Sequence, residues 1–274
     1  MQNRGEEKID EQDTGAKEKV IFMGNGKLAE CALEVLEHEC EVIFQAHNKA
    51  DLETVCELKR KFPEAHGVLA SYGVMIPEKV IELFEPEGIL NIHPSLLPLY
   101  RGPSPIESTI LAGDKEFGVS VMKLVPKMDA GPIYWQTVLT DLPLKKDIIY
   151  RELARAGAQW ICDNLDNLPI PVAQDDAKAT YTAKITKTMG LLHPKEESAE
   201  EILRKIVAYA EYPKVKYAFY GKNCTILEAH RLKPGEIAIL PLTCADEQIL
   251  AIDSLQPEGR KVMDAKAFLN GYAK

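Results

Sequence analysis

An α/β architecture is predicted for this 274-residue chain: a doubly wound, mostly parallel sheet followed by a small β-barrel or sandwich. From Lys19 onward, short unbroken apolar runs alternate with amphipathic helical stretches. Strands covered by helices on both faces read as continuous apolar runs, and strand–helix alternation builds a parallel sheet. After residue 198 and one capped helix, short strand-like runs follow one another, which is the pattern of an antiparallel sheet. Between the halves, LPIPVAQDDAKATYTAKITK is rich in proline and polar residues and has no sustained period, so the interdomain linker is placed there.

Element by element, residues 1–18 are mixed-charge and nearly free of large apolar side chains, and are expected to form a flexible tail. KVIFM is the first strand, and KLAECALEVLEH, EVIFQA, DLETVCELKRKF and GVLAS continue as helix, strand, helix, strand. PEKVIELF is a short helix and GILNIH a strand. PSPIESTILAG is a helix with proline near its start and glycine at its end. GVSVMKLV and GPIYWQTVL are strands joined by PKMDAG, and DIIYRELARAGAQWICDNL is a long helix. After the linker, residues 169–197, Ser198 and Glu201 form a capping box that opens SAEEILRKIVAYA. KYAFYG, CTILEAHRL, EIAIL and QILAIDSLQ are read as strands. The expected units are therefore 19–168 and 198–274.

Composition narrows the function classes. No apolar stretch approaches the ~18 residues of a membrane span, and the N-terminus has no apolar core for a secretion signal, so a cytoplasmic, non-membrane protein is expected. The six cysteines form no Cys-x-x-Cys pair and read as reduced packing residues. A net charge of −9 argues against indiscriminate nucleic-acid binding, and no DNA partner is expected, since phosphate contacts need Lys and Arg. Residues 178–233 nevertheless carry eleven Lys or Arg against six Glu, which hints at a polyanion on that side. Arg101, Lys184, Lys187, Lys205 and Lys214 are the candidates to meet phosphates, with a solvated basic face as the plain alternative for each.

GNGKLA, residues 24–29, fits G-x-G-x-x-[GA] after a strand. A dinucleotide site also needs an acid at the end of the second strand, where Gln45, Ala46, His47 and Asn48 stand instead. Gly24 and Gly26 are read as turn residues allowing close backbone approach.

NIHPSLLP, residues 91–98, carries the chemistry. Side chains at i and i+2 of a strand share a face, so Asn91 and His93 converge while Ile92 packs behind them. Ligands of open parallel sheets bind beyond the carboxyl ends of strands, and Pro94 marks such an end. A histidine there exchanges protons near neutral pH, and an asparagine amide can donate to a developing oxyanion. Asp129, in the tight PKMDAG loop, is the candidate to orient the ring. Each has a plain alternative, since Asn-x-His arises by chance and Asp-Ala-Gly makes a good turn. His38, His47, His66, His193 and His230 show no ligand-like spacing, and no metal is expected.

Residues 91–136 resemble the core of the 10-formyltetrahydrofolate-dependent formyltransferases. Asn-x-His followed by Ser-Leu-Leu-Pro, with Asp-x-Gly downstream, is matched by Asn91, His93, Ser95, Leu96, Leu97, Pro98, Asp129 and Gly131. ASYGVMIP, residues 70–77, resembles the family's folate-loop segment. YRGPSPIE and SLQPEGRKVMDAKAFLNG are similar to the branch acting on methionyl-tRNA. The resemblance implies a Rossmann-like catalytic domain joined to a small OB-like β-barrel, with Asn91, His93 and Asp129 catalytic. It also implies a pterin held by Ser71, Tyr72, Gly73, Val74 and Met75 and by Ser95, Leu96, Leu97 and Pro98, with 10-formyltetrahydrofolate as co-substrate. Initiator methionyl-tRNA would be held through the linker and C-terminal domain of a monomer. One departure stands out: members of that branch carry a basic insertion after the second strand, whereas here QAHNKADLETV, with Lys49 its one basic residue, runs into the next helix. A sugar or ribonucleotide amine as acceptor, hydrolysis to formate, and a binding module without catalysis remain the alternatives.

Overall fold

The computed structural model describes residues 17–273; the expected tail lies almost wholly outside them. The first sheet is built from β1 (Lys19–Gly24), β2 (Glu41–Ala46), β3 (His66–Ala70), β4 (Ile89–His93), β5 (Phe117–Lys123) and β6 (Ile133–Leu139). Its order is β2-β1-β3-β4-β5-β6. β1, β2, β3 and β4 pair in parallel, and β5 and β6 close the edge antiparallel. The fold class is the expected one, a mostly parallel sheet wound by helices.

Helices α1 (Gly26–Glu39), α2 (Leu52–Lys61), α3 (Glu78–Ile81), α4 (Pro105–Ala112) and α5 (Lys146–Asn164) flank this sheet. The two-residue period of the strands sorts side chains between two cores. Val20, Phe22, Val68, Leu90 and Ile92 pack with residues of α1 and α5. Ile21, Met23, Leu69 and Ile89 pack on the opposite face with residues of α2 and α3. Asn91 and His93 share Ile89's face by the same alternation, and so come to the side where the chain leaves an opening.

Pro105 opens α4, where its missing N–H costs nothing, and Gly113 ends it in the left-handed conformation at φ 80°. Gly24 is required by close approach, since a Cβ there would meet the Ala70 carbonyl at 2.6 Å and Ala29 at 2.7 Å.

The second sheet is antiparallel and holds β7 (Val215–Phe219), β8 (Lys222–Arg231), β9 (Pro241–Thr243), β10 (Ile249–Pro257) and β11 (Met263–Asp264). It follows α6 (Ala199–Ala208), whose Ser198–Glu201 capping box is formed as predicted. One expected strand is corrected. EIAIL, residues 236–240, forms none, because Ile237 and Ile239 face solvent; the strand begins at Pro241. Sequence reasoning also assigned no helix to residues 265–272, which form α7 (Ala265–Tyr272), capped by Asp264 and docked through the buried Phe268 against Phe219.

Residues 169–197 carry short 3₁₀ turns at Asp176–Lys178 and Lys187–Gly190 and isolated β-bridges at Val172, Tyr181 and Leu191. The stretch is not a free tether: it runs across the first sheet's carboxyl-end loops and is hydrogen-bonded to residues 98–104.

Candidate active site

Beyond the carboxyl ends of the parallel strands β3 and β4 lies a cleft of about 420 Å³, into which the loop after the antiparallel β5 returns. The loop after β3 supplies Ser71, Tyr72, Gly73, Val74 and Met75, β4 supplies Asn91 and His93, and the loop after β5 supplies Asp129. Asn91 is buried as a residue, yet its side-chain amide makes no hydrogen bond to any other described residue, and among the described residues no side-chain polar atom is sealed off without a partner. It is available as a donor at the cleft wall.

His93 Nε2 lies 3.1 Å from the Tyr100 carbonyl oxygen. A carbonyl only accepts, so that nitrogen carries a proton and Nδ1 holds the lone pair of the neutral ring. Nδ1 faces Asp129 Oδ1 at 3.8 Å, with both side chains largely buried. This is a charge contact longer than a hydrogen bond; catalytic contacts often shorten only when substrate is bound. Asp129 Oδ2 is occupied by the Gly102 backbone N–H at 2.7 Å, which turns Oδ1 toward the imidazole. In this loop Asp129 has φ 47°, and a Cβ at Gly131 would strike the Lys123 carbonyl at 1.8 Å, so the Asp-Ala-Gly spacing serves the backbone as well as the carboxylate.

Tyr72 lines the cleft but acts as the anchor of its loop. Its hydroxyl donates to the Asn48 carbonyl at 2.5 Å, and its own carbonyl accepts from Asn25 Nδ2 at 3.2 Å. Burial, with Asp51 nearby, raises the pKa of that hydroxyl. Gly73, at φ 71°, has nothing within 4 Å of a Cβ position, and Met75 is 73% exposed.

Ser95, Leu96, Leu97 and Pro98 do not line the cleft, contrary to expectation. They form a turn locked behind it onto β5. Ser120 Oγ donates to the Ser95 carbonyl at 2.6 Å and accepts from Leu97 N–H at 3.1 Å and Gln136 Nε2 at 2.8 Å. Leu96 packs where Gly118 has no side chain. Arg101 is likewise corrected as a phosphate contact, for it is fully buried, bridging to Asp176 at 2.8 Å. The charge of Lys205 is taken up by Glu197, whereas Lys184, Lys187 and Lys214 have no ion-pair partner among the described residues.

Two groups were missed. Glu107 and Tyr150 line the cleft, and Glu107 pairs with the buried Lys146 at 2.6 Å while accepting from the Tyr150 hydroxyl at 3.0 Å. Burial, then Glu107, drives the Tyr150 pKa far up, so that phenol stays a hydrogen-bond donor. No sequence spacing links positions 107 and 146. Gln174, in the linker, donates to the Asp129 carbonyl, a contact that composition gave no reason to expect. Among the described residues no group of three or more His, Cys, Asp or Glu could hold a metal ion, and no helix is long and apolar enough to cross a membrane.

The family profile described as formyl transferase matches residues 14–165, and that of the formyl transferase C-terminal domain matches residues 184–273. The chain belongs to the formyl transferase family. A methionyl-tRNA formyltransferase of Dehalococcoides mccartyi is 35% identical over 250 residues, covering 86% of this chain and 79% of that protein. Among solved structures, methionyl-tRNA formyltransferase from Clostridium thermocellum superposes with a TM-score of 0.63 at 19% identity, covering 90% of this chain and 99% of that one. HypX from Aquifex aeolicus in complex with tetrahydrofolic acid gives 0.69 at 17% identity, covering 95% of this chain and 48% of that one. At those identities the structural likeness speaks for the fold of this family member, a formyl-transferring enzyme; its site rests on the geometry above.

Proposed function

We propose that this formyltransferase moves a formyl group from N10 of 10-formyltetrahydrofolate to the α-amine of methionyl-tRNA, with Asn91, His93 and Asp129 as the catalytic set. The observation that carries the catalytic reading is the convergence of those three side chains, from two separate segments, on one cleft at the sheet's carboxyl end. The acceptor is supported by the name of the relatives that match most of the chain.

The amine attacks the formyl carbon, and the carbonyl oxygen gains negative charge, which the free amide of Asn91 is placed to stabilise. His93 takes the proton released by the amine and returns it to N10 as the C–N10 bond breaks. Asp129 stabilises the ring while it carries that proton. General acid–base work of this kind contributes about 10² to 10⁴ in rate. The pterin is assigned to residues 71–75 and the apolar stretch Leu124, Val125, Pro126 and Met128, where backbone polar groups and apolar side chains suit a flat heterocycle. The unit of residues 198–274 and the linker, with Lys184, Lys187 and Lys214, are assigned to the tRNA. The protein is proposed to act as a cytoplasmic monomer.

A second reading, with a sugar amine as acceptor, is favoured by one observation: β2 is joined to α2 by a compact 3₁₀ turn at Lys49–Asp51, leaving no room for a basic insertion. One assay separates the two. Purified protein is given 10-formyltetrahydrofolate with methionyl-tRNA, with a sugar amine, or alone, and folate release is followed. Rapid release with methionyl-tRNA alone, steeply weakened by salt, is expected. Release with the sugar amine, or with water only, overturns the acceptor assignment.

A further inference from the structure

The interdomain linker holds the catalytic loops through one buried circuit. Arg101 is fully buried, its Nη1 on Asp176 at 2.8 Å and its guanidinium over the Tyr181 ring. Its other two nitrogens, Nε and Nη2, both donate to Gln174 Oε1, at 3.0 and 2.7 Å. Gln174 Nε2 in turn donates to the carbonyls of Asp129 at 2.8 Å and Gly131 at 2.7 Å. The orientation of this amide is fixed: guanidinium only donates and carbonyls only accept, so its oxygen must face Arg101 and its nitrogen the loop.

The circuit closes through the neighbouring backbone. Gly102 N–H holds the Asp129 carboxylate, and the Tyr100 carbonyl holds His93, so the residues on either side of Arg101 fix the two members of the dyad. The linker clamps this loop in β-like fashion: Arg101 N–H donates to the Thr180 carbonyl at 2.9 Å, and Thr182 N–H donates to the Arg101 carbonyl at 2.7 Å. Asp129 sits at φ 47°, a left-handed backbone that is strained for a non-glycine residue and persists only where its surroundings over-determine it. Gln174 supplies that constraint on both sides of Ala130.

We propose that Gln174, held in register by Arg101, is a positioning residue for formyl transfer: it sets the Asp129 loop so that the carboxylate meets His93. This rests on the proposed role of the His93–Asp129 pair. It makes the linker part of the catalytic machinery.

The test compares the full-length protein with Q174E, Q174M, D129N and the double variant D129N/Q174E, using 10-formyltetrahydrofolate and methionyl-tRNA. Q174E keeps an oxygen for Arg101 and loses both donors to the loop. It is expected to remain folded, with an unchanged circular dichroism spectrum, while kcat falls about 10- to 100-fold, the scale of a misplaced reacting group, with KM for the folate nearly unchanged. Q174M, which adds no charge, should lose kcat as well, again with KM for the folate nearly unchanged. D129N/Q174E should be about as slow as D129N, since one interaction is removed twice. Wild-type kcat in Q174E beside a slow D129N, a loss confined to KM, or multiplicative losses in the double variant would overturn the inference. A D129N protein with full activity would instead sink the dyad on which it rests.

Discussion

The loop after β3 and the loop after β5 line the same cleft, but the chain holds them differently. Residues 124–131 are tied at nearly every polar atom that matters: the Asp129 carboxylate to Gly102, the Asp129 and Gly131 carbonyls to Gln174, and Gly131 itself pressed against the Lys123 backbone. Residues 71–75 are pinned chiefly at Tyr72, after which Gly73 stands in open space and Met75 projects into solvent. A proton moves only between groups at fixed separation, which demands an over-determined backbone. For the pterin proposed to lie there, covering the face of a flat ring needs apolar surface that can adjust, which a thioether on an unbranched stem would supply.

The comparison yields graded tests. The largest effect is expected at the dyad: His93→Ala or Asp129→Asn should lower kcat by about 10² to 10⁴ while the circular dichroism spectrum is unchanged. Full turnover in either variant would remove the reason for holding the β5 loop so tightly. Next comes the clamp behind it. Arg101→Met leaves the Gln174 oxygen without its two donors and should cost about 2 to 3 kcal/mol, seen as a lower midpoint in urea. A variant as stable as the parent would mean that the circuit is not a stabilising unit. The smallest effect is expected at the adaptable loop, where Met75→Ser should raise KM for 10-formyltetrahydrofolate by about 5-fold through lost apolar contact, with kcat intact. If kcat falls instead, the two loops are not as different as their packing suggests.

Much of this architecture was legible beforehand because it depends on local periodicity. The strand–helix alternation, the Ser198–Glu201 cap, the proline start and glycine end of α4, and the shared face of Asn91 and His93 all follow from repeats of 2.0 or 3.6 residues and from capping chemistry. Where reading went astray, a longer-range contact decided. EIAIL has strand-like residues but faces water, and nothing in its composition shows on which side the sheet lies. The residues of Ser-Leu-Leu-Pro were expected at the ligand, yet Ser120, more than twenty positions on, draws that turn away from the cleft. Arg101 reads as a phosphate contact in the sequence because a sequence shows charge but not burial.

The order of the amino acids alone therefore determined which segments are strands and helices, which faces they hide, and that an amide and an imidazole stand together at a strand's end. Folding decided the rest: that Asp129 reaches His93, that Glu107 finds Lys146, and that a polar linker turns back to grip the loops before leading to the second sheet. The reason is one of range. Backbone geometry and capping act over a few residues, whereas the partner of a buried charge or carboxylate is chosen by the path of the whole chain, which spacing does not encode.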